Sequence, residues 1–478
     1  MRNTSGQPNE SLKWRYNPRE ALCNQEAKGQ AMMVGQVSKL VRLFVVCVGV
    51  SGGVSGVTWA APLETSTDRD LPELRLSLRE AMDAAVDQNP TVRLFNERIV
   101  QAQDVANARL GELLPNFSGR LSGARRRFFT SQFGGSPTVT DPRDFYEARA
   151  FLTQNVFSLS LIQRWRAGKA GVDVAGLDAE VTKRDTMATA GLIYLEALRA
   201  KAAVDARTAD VGLNKELLRL AAERKSAGMA TSLDVTRAKV QLENARQRLL
   251  VAENERDRAK LNLIRAMGLS FDVRLLLTDE MKLGDVSEQS MGEALQIAQE
   301  NRTELKAQKN RERLASLTLS SVTSERIPSI QALGDVGLIG NQVPNALTTD
   351  NVQVLMTVPI FDGGQREARI SESRSLVRQE AIRTQDVQYQ VGLEVRDALI
   401  TLSSAKQQVA VAEEGLKLSL TELELSRERF AVGVATNIEV TDAQTRVAQA
   451  RDNLIEGLFT FNASRLSLAR AQGQLEKL

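Results

Sequence analysis

The sequence predicts a mainly α-helical protein built from two copies of one helix–hairpin–helix unit, with a small contribution of β-strands. Three observations lead to this prediction: an internal repeat at a fixed offset, long stretches without proline, and two segments per copy whose apolar residues alternate with period two. The composition agrees, since aromatic residues make up only 4% of the chain and hydrophobic residues 42%. Such a mix favours long helices packed through small residues.

The repeat is clearest around two glycines, Gly228 and Gly433, which lie 205 positions apart. Each glycine opens the same pattern of alanine, threonine and an acid, which reads Gly228, Ala230, Thr231, Asp234 in the first copy and Gly433, Ala435, Thr436, Glu439 in the second. A weaker match at an offset of 213 aligns Leu114-Pro115 with Ile327-Pro328. Each half therefore has the same order: helix, proline break, alternating region, long helix, glycine turn, long helix.

The helices on either side of each glycine turn are predicted to be long and paired. No proline occurs from Gln163 to Gly228 or from Gly364 to Gly433, and a helix of that length approaches about 100 Å. After each turn, small and large residues repeat with the spacing of a coiled-coil seam, at Ala238, Leu242, Ala245, Leu249 and at Ala443, Val447, Ala450, Leu454. This periodicity fits an ordinary helical bundle or a filament rod equally well.

The alternating segments are predicted to be strands at about 116–128 and 146–157 in the first half, and at about 329–340 and 352–361 in the second. Strands of about ten residues cross a bilayer when they are tilted. Because lipid does not tolerate unpaired strand edges, four such strands require strands from other copies to close a barrel. The alternative is a pair of amphipathic hairpins in a water-soluble protein.

Residues 1–60 are predicted to be a leader that includes a signal peptide. Lys39 and Arg42 precede an apolar run from Leu43 to Val57, and small residues follow at Ala60. A membrane anchor helix is the alternative, although the run is short and interrupted by glycine. The leader holds seven basic and three acidic residues, so it accounts for the net charge of +3, and we predict no binding of nucleic acid.

The composition argues against an enzyme. The chain has no histidine, which is the commonest general base and metal ligand, and its two cysteines, Cys23 and Cys47, both fall in the predicted leader. The sequence contains no phosphate-binding loop and no nucleophile–base pair. We therefore predict no catalytic residue, no cofactor and no metal site.

The segment from Pro359 to Gly364, the Leu114-Pro115 break and the paired glycine turns resemble the TolC family of outer-membrane factors over roughly residues 74–474. The resemblance implies a homotrimer in the outer membrane of a Gram-negative-type cell. Each protomer would give four strands to a shared twelve-stranded β-barrel and its long helices to a periplasmic α-barrel. The strand-to-helix turn would be formed by Pro359, Asp362, Gly363 and Gly364.

The resemblance also implies a division of the chain and a set of partners. The first repeat would span 74–268, an inter-repeat equatorial segment 269–290, and the second repeat 291–474. The channel would passively conduct substrates in efflux or type I secretion, received through a periplasmic adaptor (membrane fusion) protein from an inner-membrane transporter of the RND, ABC or MFS type, and it would contact outer-membrane lipid. The competing hypothesis is a periplasmic adaptor or coiled-coil scaffold without a pore.

The family places the two glycine turns at the periplasmic tips. There, Gly228, Ala230, Thr231, Gly433, Ala435 and Thr436 are the candidates for docking of the adaptor, and both threonines are expected to cap the outgoing helices. The pore-gate candidates are Glu439, Asp442, Asp234 and Phe430. A solvated helix face is the alternative for the two acids of the second tip. Phe430 and Ala435 replace a tyrosine and an arginine of the family's closed-state latch, so closure is expected to depend more on packing.

Overall fold

The computed structural model describes residues 72–130, 138–284 and 289–477, and the predicted leader lies outside this part of the chain. The described residues are mainly helical, as predicted, with α1 to α8 at Leu78–Gln88, Pro90–Gly111, Leu159–Ser226, Ser232–Met267, Met291–Asn301, Thr303–Thr323, Gln365–Ala431 and Asn437–Ala471. None of these helices combines the length and apolar character that a membrane-spanning helix needs.

Two long helical hairpins dominate the fold, α3 with α4 and α7 with α8. Helix α3 has 68 residues and α7 has 67, which corresponds to about 100 Å at a rise of about 1.5 Å per residue. The outgoing helices bury a seam of small and large residues at the predicted positions, including Ala238, Leu242, Ala245, Ala443, Val447 and Ala450. Of the shorter helices, α2 packs against α3, and α6 packs against both α3 and α7.

The strands β1 to β8 lie at Glu73–Leu76, Asn116–Arg126, Phe129–Thr130, Thr138–Val139, Arg143–Phe157, Arg274–Leu277, Ser329–Gly340 and Leu347–Thr357. Four of them form an antiparallel sheet in the order β2-β5-β7-β8, so the hairpin of the first half pairs with that of the second through β5 and β7. These four strands overlap the segments that the sequence predicts. Strands β2 and β8 occupy the two edges of the sheet.

A second, two-stranded sheet pairs β1 with β6 in parallel, which the sequence analysis did not predict. It ties the start of the first half to the segment between the halves. Beneath it, the fully buried Tyr194 donates a hydrogen bond to the Leu76 carbonyl at 3.0 Å. Burial raises the pKa of this phenol, which moves it further above physiological pH, where an ordinary phenol is already protonated.

The duplication is also visible in how the two outgoing helices end. Asn89 donates to the Ala266 carbonyl at the end of α4 (2.9 Å), and Arg302 donates to the Ala471 carbonyl at the end of α8 (3.5 Å). The two donors are 213 positions apart and the two acceptors 205 apart, the same offsets as in the sequence repeat. A donor at this place satisfies carbonyls that lack a partner within the helix.

Candidate functional site at the two helical tips

The first tip joins α3 to α4 and is closed by a reciprocal cap. Gly228 takes a positive φ of 73°, which reverses the chain at no steric cost. Thr231 is the N-cap: its hydroxyl oxygen accepts from the Asp234 amide at 3.3 Å, and the Asp234 carboxylate accepts from the Thr231 amide at 2.9 Å. The hydroxyl and amide of Thr231 lower the pKa of Asp234 by hydrogen bonding to its carboxylate.

The second tip joins α7 to α8 through the same reversal, with Gly433 at a φ of 85°. Its cap differs, because Thr436 makes no side-chain hydrogen bond to the first turn of α8. The acid at the matching position, Glu439, instead forms an ion pair with Arg429 at 3.3 Å. The capping bond expected from the Thr436 side chain is therefore absent, and that expectation is wrong. The other half of a reciprocal cap is missing too, because the Glu439 carboxylate that would accept from the Thr436 amide is paired with Arg429.

The two tips of one protomer touch at Phe430, which is only 5% exposed. It packs in a cluster with Leu217 and Leu423 of the two incoming helices and with Val440 of α8. The guanidinium of Arg224, from the first tip, lies 4.4 Å from the centroid of the Phe430 ring. An arginine–aromatic contact of this kind adds attraction beyond apolar burial, because the ring face is electronegative.

Arg224 also holds the backbone of the second tip. Its Nη1 donates a hydrogen bond to the Phe430 carbonyl, close to the end of α7. A cation at this place interacts favourably with the carbonyl end of a helix. A second crossing contact comes from Asn437, whose buried side-chain amide donates to the Asp234 carbonyl at 3.4 Å. The sequence predicted neither contact: Arg224 belongs to the repeat, where it matches Arg429, but the repeat assigns it no partner.

The four gate candidates have different surroundings in the structure. Asp234 is engaged in the cap of the first tip, and Phe430 is buried beneath Arg224. Glu439 is half-buried and paired with Arg429. Asp442, one helical turn further along α8, is exposed and forms no ion pair in the described part of the chain.

The docking candidates lie among exposed apolar side chains that the sequence analysis did not name. Gly228, Thr231, Gly433 and Thr436 are exposed, Ala230 is half-buried, and Ala435 is buried. Around them, Met229 is 62% exposed and Val434 is 71% exposed, with Leu233, Val432 and Ile438 also open to solvent. Apolar side chains grouped at a chain reversal point to a contact with another protein.

The strand-to-helix turn lies at the other end of α7. Gly363 and Gly364 both have positive φ, and the Asp362 carboxylate accepts from the Arg366 amide at 3.0 Å. Asp362 thus caps the start of α7, and Pro359, which has no amide hydrogen, lies just beyond the end of β8. In residues 72–130, 138–284 and 289–477, no group of three or more acidic side chains is placed to hold a metal ion.

Known proteins share this architecture. Protein CyaE of Bordetella pertussis is 24% identical over 437 residues, which cover 88% of this chain and 87% of that protein. Outer membrane protein OprJ of Pseudomonas aeruginosa is 23% identical over 422 residues, covering 83% and 84%. The crystal structure of the Campylobacter jejuni CmeC outer membrane channel superposes with a TM-score of 0.71 at 15% identity, covering 89% of this chain and 94% of that one.

The family model described as outer membrane efflux protein matches residues 81–269 and 294–474. These two matches fall on the two halves that the repeat defines, and together they cover most of the chain. The resemblance drawn from the glycine turns is confirmed: the chain belongs to the outer membrane efflux protein family.

Proposed function

We propose that three copies of this chain assemble into one export channel, closed at its periplasmic end by the helical tips. As a member of its family, the chain is an outer-membrane efflux or secretion channel with a periplasmic helical extension, not an enzyme. The observation that supports a trimer is the four-stranded sheet with two free edges, at β2 and β8. Such edges are not viable in lipid, so β2 of one copy pairs with β8 of the next until the twelve-stranded barrel closes.

The two faces of this sheet support its place in the membrane. One face presents apolar side chains to solvent, with Leu121 at 85% and Val352 at 86% exposure. The other face is polar, and on it Arg149 pairs with Glu147 (3.0 Å) and with Asp335. Apolar outside and polar inside is the arrangement of a membrane barrel.

The tips supply the gate and the docking surface of the proposed channel. Three-fold symmetry gathers Asp442 of each copy near the axis, with Glu439 beside it, while Arg224 and Asn437 hold the second tip against the first. The exposed apolar residues around Gly228 and Gly433 receive a helical hairpin of a periplasmic adaptor. An inner-membrane transporter supplies the energy for export, since the sequence of this chain contains no phosphate-binding loop.

The proposed working units follow the duplication. The first repeat, 74–268, carries the capped tip and is the fixed hairpin, and the second repeat, 291–474, carries the uncapped tip that opens. The segment 269–290, part of which pairs with β1, joins them at the equator. Loosening of the contact between the two tips within each protomer is the opening step.

The membrane assembly is tested by a matched pair of substitutions on β8. Val354→Arg places a charge on the apolar face, which costs about 2–4 kcal/mol near the bilayer midplane, whereas Gln353→Arg places it on the polar face. We expect Val354→Arg to abolish the heat-sensitive trimer in detergent-solubilised outer membranes and Gln353→Arg to retain it. A wild-type chain recovered as a soluble periplasmic monomer would rule the channel out.

A further inference from the structure

The polar face of the four-stranded sheet carries four arginines. The register pairs Arg120 with Arg149 and Arg126 with Arg143, and the even spacing along each strand places all four on one face. Like charges directly opposite each other destabilise an antiparallel pair. The stability of the β2–β5 hairpin therefore does not explain why arginines occupy these positions.

Only one of the four is neutralised. Arg149 is held by Glu147 and Asp335, which are the only carboxylates on this face of β2, β5, β7 and β8. Arg120 stacks on Phe151 with its guanidinium carbon 5.1 Å from the ring centroid, and this contact leaves its charge uncompensated. Arg126 and Arg143 are exposed. In the described part of the chain, neither these two nor Arg120 forms an ion pair.

The opposite face has a different charge pattern. Arg125 lies there, next to Arg126 in sequence, and its Nε is 3.8 Å from the carboxylate of Asp144. Asp350 lies on the same face of β8, so this face has no excess of positive charge. The excess is confined to the polar face and is greatest at the end of the β2–β5 hairpin that is distant from the helices.

We infer that Arg120, Arg126 and Arg143 line the outer half of the duct and make it selective for anions. The inference rests on the proposed function, since only a closed barrel turns the polar face of the sheet into a duct wall. Rings of arginine attract anions and repel cations, and guanidinium stays charged at every relevant pH. Its planar fork suits the carboxylate and phosphate groups of exported molecules. The duct thus has acidic groups at its periplasmic tip and basic groups near its outer mouth.

The test is the reversal potential of single channels in planar bilayers under a KCl gradient. Replacing Arg120, Arg126 and Arg143 together with Gln is expected to shift the reversal potential toward cation selectivity, while the tip carboxylates stay unchanged. Arg125→Gln, on the opposite face, is the matched control and is expected to cause no shift. The shift should grow at low salt, because screening acts over only about 10 Å at 0.1 M ionic strength.

Pyrophosphate added from the outer side provides a second readout. It should block the wild-type channel and block the triple variant more weakly. The inference would be overturned, with the proposed channel left intact, if the triple variant kept both the reversal potential and the pyrophosphate block of the wild type. The proposed function would be overturned if the purified wild type formed no channels. If the triple variant does not assemble, the exposed single variants Arg126→Gln and Arg143→Gln must each give part of the shift. An absence of any shift in both would overturn the inference that these arginines make the duct selective for anions.

Discussion

The two helical tips share a sequence pattern and a backbone turn but differ in how each is closed. At the first tip, Thr231 and Asp234 complete a reciprocal cap. At the second, the matching Thr436 caps nothing, and the matching Glu439 is drawn to Arg429. Duplication thus produced two hairpins of one shape, of which only the first has a reciprocal cap.

The equivalent arginines of the two tips also differ in their contacts. Arg224 and Arg429 occupy equivalent positions, 205 residues apart. Arg429 pairs within its own tip, whereas Arg224 crosses to the ring and carbonyl of Phe430. The second tip thus has contacts from the first tip in addition to its own packing of Phe430 against Leu423 and Val440. A docking partner can release a few crossing contacts of this kind, which supports the proposal that the second tip is the moving element.

The largest expected effect comes from Arg224→Gln. The change removes a cation–π contact worth up to about 2 kcal/mol when desolvated and a hydrogen bond of a charged group worth about 1.5–3 kcal/mol. Since about 1.4 kcal/mol is tenfold in an equilibrium, we expect the open fraction of single channels in planar bilayers to rise by about tenfold or more.

Arg429→Gln is the matched control for this prediction. It removes an exposed ion pair, which typically contributes about 0–1 kcal/mol, and it frees Glu439 to complete the missing cap. We expect little increase in the open fraction. Equal opening by the two variants would mean that the tips do not differ in the way the contacts indicate.

A smaller effect is expected from substitution of the acids of the second tip. It is measured as block of the channel by a trivalent cation. Asp442 is exposed and unpaired in the described part of the chain, while Glu439 is partly neutralised by Arg429. Asp442→Asn should therefore weaken the block more than Glu439→Gln does, and both should raise the conductance. If neither variant alters the block, the constriction lies elsewhere in the duct.

The smallest effect concerns the cap itself and is read by amide hydrogen exchange. Thr231→Val should speed exchange in the first turn of α4, since loss of an N-cap costs about 1 kcal/mol, and Thr436→Val should leave the first turn of α8 unchanged. The pKa of Asp234 is lowered by its hydrogen bonds. The stability that Asp234 adds to the start of α4 is therefore present above the ordinary carboxyl range and is lost as the pH falls through the lowered pKa. A clear increase in exchange for Thr436→Val would show a cap that the structure lacks.

The sequence alone predicted the features that depend on local pattern. The long helices, their seam and the glycine turns follow from period, spacing and residue type. The last strand was predicted at 352–361 but lies at Leu347–Thr357. Pro359 has no amide hydrogen for the ladder, and β7 offers partners as far as Ile339, so the pairing extends into the preceding loop.

The features that sequence reasoning missed depend on how distant segments pack. The contact of Arg224 with Phe430 joins the two hairpins, and it cannot be predicted from the spacing of residues along the sequence. Asn437 has a serine at its equivalent position, Ser232, so the repeat gave no signal for it. The absent cap at Thr436 shows the opposite error: a similar motif, with Glu439 in place of Asp234, forms no cap, and its acid pairs with a neighbouring arginine.

A distance between the two tips shows whether the first tip holds the second through Arg224. The only cysteines lie in the predicted leader, so Met229→Cys and Val434→Cys provide unique sites for spin labels on the two exposed tips. Labelled protomers are diluted with unlabelled ones, which restricts pulsed electron paramagnetic resonance to distances within one protomer. We expect one narrow distance distribution in the wild-type chain, and longer, more broadly distributed distances with Arg224→Gln. An unchanged narrow distribution in that variant would contradict this expectation.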